Sequence, residues 1–64
     1  DELRRRITLH QDTLDHYRAI EQRDFLHGKP LSREARIHHM ILKKGILYEE
    51  NSIVWDTEML ALLQ

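Results

Sequence analysis

The sequence predicts a small, mostly α-helical domain: a long N-terminal helix, a second helix, a short β-hairpin or irregular segment, and a short C-terminal helix. Three observations predict it. The single proline and one of two glycines fall together in His27-Gly28-Lys29-Pro30-Leu31-Ser32. Before that stretch the apolar residues recur at helical spacing. After it, residues 46–55 are rich in β-branched and aromatic types. Residues 1–64 read as one small helical domain, and a start at Asp1 without methionine suits a fragment of a longer chain.

Leu3, Ile7, His10, Leu14 and Tyr17 follow a 4-3-4-3 spacing, which gathers them into one narrow stripe close to a heptad seam. Asp1 and Glu2 stand at the positive end of this helix's dipole. A helix over residues 2–26 would be about 37 Å long at ~1.5 Å per residue. The residues that follow, read as shorter elements, are too few to cover it. Part of the stripe is therefore expected to meet another chain.

Gly28 can adopt the left-handed conformation that closes a helix, and Pro30 cannot continue one. Ser32 is placed to cap the second helix, with Glu34 in its acidic first turn. Lys43 and Lys44 suit a C-terminal dipole, and Gly45 reads as the stop, with Ile46 folding back on Ile41. Ile46-Leu47-Tyr48 and Ile53-Val54-Trp55, separated by Glu49-Glu50-Asn51-Ser52, then predict the hairpin. Alternatively, Asn51 or Ser52 caps a helix that starts at Ile53. Asp56 is the predicted cap of the last helix, residues 57–64, which carries Met59, Leu60, Leu62 and Leu63 on one face.

A domain of 64 residues buries only ~60% of the surface its unfolded chain exposes, so a lone monomer is marginal. There is no cysteine. Disulfides and thiolate zinc sites are thereby excluded, and oligomerisation, most simply as a homodimer, remains as the stabilising device. Net charge is −1, without the basic excess of a dedicated nucleic-acid binder. No apolar run reaches the roughly 18 residues of a membrane span, and nothing resembles a signal peptide. A cytoplasmic protein without membrane contact is expected.

Five histidines are the compositional oddity. Two helical ligands to zinc must share a face, at spacing i, i+3 or i, i+4. His10 and His16 do not share one, and the adjacent His38 and His39 diverge by about 100°, so no metal site is expected. His10 falls in the apolar stripe, where at a dimer interface it would face its symmetry mate and protonation would loosen the pair. Asp12, Asp15, Glu21, Asp24 and Glu34 are scattered among arginines, and Thr8 and Thr13 have no orienting base. No phosphate-binding glycine loop is present. Neither catalysis nor a cofactor is expected.

A helix, a tight turn, a second helix and a hairpin would be the order of a winged helix-turn-helix. In that alternative, Arg33, Arg36, His39, Lys43 and Lys44 face nucleic acid, although Glu49 and Glu50 would place negative charge on the wing. A protein-binding role accounts for more of the chain. Self-association falls to Leu3, Ile7, His10, Leu14 and Tyr17, and a protein partner would meet Tyr48, Trp55, Met59 and Leu63. The aromatics are typical interface anchors.

The run Leu26-x-Gly28, a helix, then Gly45-Ile46 and Glu49-Glu50 resembles the small helical antitoxins that clasp Fic-domain AMP-transferases, over residues 26–50. The resemblance implies a helical framework and, as a further alternative, an inhibitor protein. That family inhibits through Ser-x-x-x-Glu-Gly. Here the matching positions are Arg23, His27 and Gly28, which supply neither the serine nor the glutamate. The expected function is a non-enzymatic regulatory or protein-interaction module.

Overall fold

Capping chemistry sets both helix starts. In a computed structural model describing residues 1–64, the Asp1 carboxylate accepts the N–H of Arg4 at 3.0 Å and begins α1, Glu2–Asp24. Ser32 Oγ accepts the N–H of Ala35 at 3.0 Å and begins α2, Arg33–Leu62. Each cap satisfies a backbone donor that the first turn of a helix leaves without a partner. Between the helices Gly28 takes φ +83°, the conformation expected of it. His27 Nδ1 accepts the N–H of Lys29 at 3.1 Å within the same turn. At the end of α1, Arg23 donates to Asp24 at 2.8 and 3.0 Å. That hydrogen bond holds the Asp24 carboxyl below its ordinary range and the guanidinium above its own.

The two helices lie antiparallel as a rod 48 Å long and 15 Å across. On α1 the facing residues are Leu3, Ile7, His10, Leu14, Tyr17 and Glu21, all buried or half-buried. On α2 they are Leu42, Ile46, Glu49, Ile53, Asp56 and Leu60, again buried or half-buried and spaced alternately by four and three. Matched alternation on two helices is the geometry of a coiled-coil seam.

The β-hairpin predicted at residues 46–55 and the separate C-terminal helix at 57–64 are absent. Both segments belong to α2, which runs for 30 residues without interruption. Gly45 therefore does not stop a helix, Asp56 does not cap one, and Ile41 turns outward instead of packing on Ile46. Seam packing explains the correction. Continuing the helix places Ile46, Ile53 and Leu60 against α1, whereas an isolated two-stranded hairpin would leave its edges unpaired. A glycine inside a helix costs about 1 kcal/mol relative to alanine. Here its lack of a side chain is used: a Cβ on Gly45 would lie 3.1 Å from Tyr17 Cε2. The expectation that the later residues are too few to cover α1 fails with the hairpin, because α2 is about 45 Å long at ~1.5 Å per residue.

Gly45→Leu is expected to cost about 1–3 kcal/mol through overpacking, measured by urea unfolding followed by circular dichroism. Most of that loss should disappear in a Tyr17→Ala background. Equal losses in both backgrounds would show that the tyrosine is not what the glycine accommodates.

Candidate interaction surface

α2 carries two faces. Its inward face contains a polar cluster near the end of the hairpin away from the turn. His10 Nδ1 lies 2.5 Å from Glu49 Oε2, and His10 Nε2 lies 3.9 Å from Asp56 Oδ2. Arg6 Nη2 lies 3.2 Å from Asp56 Oδ1. The Asp56 side chain is 1% exposed, and neither of its oxygens makes a hydrogen bond. A buried carboxylate in that state depends on the nearby guanidinium for its compensation. Nearer the turn the chemistry repeats with the helices exchanged: His39 Nε2 of α2 lies 2.8 Å from Glu21 Oε2 of α1. The His39 ring also stacks on Phe25 with centroids 4.7 Å apart. Two pairs at different heights along the seam fix the register between the helices, because a slip would strand each polar group against aliphatic side chains.

The outward face of α2 is apolar in a way the inward face cannot explain. Ile41, Tyr48, Trp55 and Leu62 recur every seven residues, and Met40, Leu47 and Val54 form a parallel row beside them. All seven are 55–79% exposed. Only four residues of the chain are buried: Leu14, Ile46, Glu49 and Asp56. The exposed Lys44, Asn51 and Glu58 run as a polar row between these two apolar ones. A shallow cleft of about 340 Å³ opens on this face, lined by Arg6, Tyr48, Asn51, Ser52, Trp55 and Asp56.

The proposed contact residues divide between these faces. Leu3, Ile7, His10, Leu14 and Tyr17 do share one side of α1, and that side lies against α2 of the same chain. Tyr48 and Trp55 are exposed on the outward stripe, whereas Met59 is half-buried beside the seam. Leu63 borders an open groove with Leu3 and Leu60 where α2 ends beside the start of α1. Arg33, Arg36, Lys43 and Lys44 are exposed along α2, but His39 is turned inward to Glu21. There is no wing to accompany them. Sequence reasoning missed Met40, Ile41, Leu47, Val54 and Leu62 as surface residues. Their seven-residue recurrence is visible once α2 is allowed to pass through Gly45. No group of three or more histidine and acidic side chains is placed to hold a metal ion, and no helix is long and apolar enough to cross a membrane.

The chain is an antiparallel helical hairpin with a polar-clamped seam and an apolar outer face. The chain belongs to the family described as virulence activator alpha C-term, which it matches over residues 1–64. It is thus a small helical regulatory module. No curated protein and no solved structure matches the chain.

Arg6→Ala is expected to destabilise the hairpin by about 1–3 kcal/mol by leaving the buried carboxylate uncompensated. In an Asp56→Leu background the same change should cost almost nothing, and a thermal-melt double-mutant cycle reads the difference. Additive losses would mean that Arg6 and Asp56 are not coupled.

Proposed function

We propose that this chain is the self-association element of a regulator, a non-enzymatic module that brings two copies together through the outward face of α2. The observation that carries the reading is the row of more than half-exposed apolar side chains from Met40 to Leu62. From Met40 to Leu62 the apolar rows run about 33 Å along α2 at ~1.5 Å per residue. Tyr48 and Trp55 near their middle have the size and rigidity of interface anchors. Self-association is assigned here to α2, because the stripe of α1 is spent inside the hairpin. Membership of a regulator family agrees with a module that joins copies instead of transforming a substrate. A cytoplasmic location suits a chain without cysteine.

The DNA-binding alternative rests on the exposed Arg33, Arg36, Lys43 and Lys44, without a hairpin wing beside them. The antitoxin alternative lacks both the serine and the glutamate of the inhibitory motif. Salt separates an apolar interface from a phosphate-binding one. Counterion release makes DNA affinity fall steeply between ~50 and 200 mM salt, whereas burial of apolar surface responds little.

Light scattering at two concentrations should give twice the chain mass, unchanged across that salt range. Trp55→Asp should return the mass of one chain while helicity is retained. Ile7→Asp should instead loosen the hairpin and lower helicity. A single-chain mass for the parent at both concentrations would overturn the proposal.

A further inference from the structure

We infer that the hairpin captures a proton on folding, held by His10 between two carboxylates of α2, so that the end away from the turn is a pH-sensitive clamp. The clamp lies in the inner seam and is independent of any pairing of copies. Nδ1 of His10 lies 2.5 Å from Glu49 Oε2, and Nε2 lies 3.9 Å from Asp56 Oδ2. The first contact is too short to exist without a proton between the two atoms. A neutral imidazole donates from one nitrogen and presents a lone pair at the other, whereas the imidazolium donates from both. With Nδ1–H committed to Glu49, a neutral ring turns its lone pair toward Asp56, whose oxygens have no hydrogen bond. A further proton on Nε2 converts that repulsion into attraction.

The charge count points the same way. From α1, Arg6 is the other charged group at the cluster, 3.2 Å from Asp56 Oδ1. From α2 come Glu49 and Asp56, with the Tyr48 ring edge-on to the imidazole at 6.3 Å between centroids. Glu50 is engaged elsewhere, with Arg18 at 2.6 Å. The two helices are the only elements of the fold. With His10 neutral, one guanidinium faces two buried carboxylates; with His10 charged, the four groups balance. Unfolding returns both carboxylates to water, so the folded chain binds more protons than the unfolded one. The clamp is therefore fully set below the ordinary imidazole range, about 6.5, and loosens as the pH rises through and above it. His39 supplies the contrast: Glu21 is its single carboxylate, 2.8 Å from Nε2, and its ring stacks on Phe25. A neutral tautomer satisfies that arrangement.

Urea unfolding at one chain concentration, from about pH 6 to about pH 8.5, spans the range in which imidazole titrates. The folding equilibrium constant of the parent should fall as the pH rises, by up to about tenfold per pH unit, the slope of one proton. His10→Gln, which keeps a donor for Glu49 but cannot titrate, should flatten the profile. Asp56→Asn, which removes the carboxylate facing Nε2, should flatten it with His10 still present. His39→Gln should keep the parent's slope. Nitrogen NMR of the folded parent needs no variant: His10 should keep both ring nitrogens protonated to a higher pH than the exposed His16 does. A parent profile that is level or rises, or a slope that survives in either His10→Gln or Asp56→Asn or vanishes in His39→Gln, would overturn the proposal. So would a His10 that loses its second ring proton no later than His16.

Discussion

The fold depends on one constraint: each helix must cover the other's seam, because nothing else in the chain is available to do so. Neither helix could bury its apolar residues alone, and with only four buried residues the hairpin has almost no interior. Its cohesion is that of a line of contacts, in which Leu14 and Ile46 are the most sheltered aliphatic members. A line of aliphatic contacts alone would tolerate sliding. The histidine–carboxylate pairs, His10 with Glu49 and His39 with Glu21, add the directional element, one contributed in each sense across the seam. They are partly buried, so displacing either would exchange a hydrogen bond for an unpaired polar group in a poorly hydrated place. The exposed Arg18–Glu50 pair at 2.6 Å spans the same helices but adds little, as solvated ion pairs do.

Once the inner faces are committed to each other, the chemistry left for function is what remains on the outside. On α1 that remainder is mostly charged and polar. On α2 it is a second apolar stripe, so that one helix carries two faces of different kinds. The inner one is narrow and carries carboxylates that require specific partners. The outer one is broad, aromatic near its centre, and relieved by a single polar row. The hairpin thus holds its own shape through one face and leaves the other exposed.

Much of this was legible before any coordinates. Gly28 and Pro30 marked the reversal, Ser32 marked the start of α2, and the spacing of Leu3, Ile7, His10, Leu14 and Tyr17 marked the face of α1 that is covered. The second half was misread for an identifiable reason. Gly45 after two lysines has the local chemistry of a helix end, and Ile46-Leu47-Tyr48 and Ile53-Val54-Trp55 have the composition of strands. Local preferences of these sizes, about 1 kcal/mol per position, are smaller than the gain from continuing a seam along a facing helix. With the hairpin removed, the partner residues sorted differently as well: Tyr48 and Trp55 stayed on the surface, while Met59 drew in beside the seam and His39 left the basic row for Glu21.

By itself the sequence determined where the chain turns, that Ser32 caps the second helix and which side of α1 is apolar, because each of these is decided within a few residues by backbone sterics and periodicity. Only the tertiary structure decided that α2 passes through Gly45, that Asp56 is buried beside Arg6 and not placed at a cap, and that the apolar surface left over belongs to α2. Those outcomes depend on residues 28 to 50 positions apart meeting across the hairpin. The presence of Tyr17 opposite Gly45, and of His10 opposite Glu49, turns a helix-stopping glycine and a surface glutamate into parts of a seam.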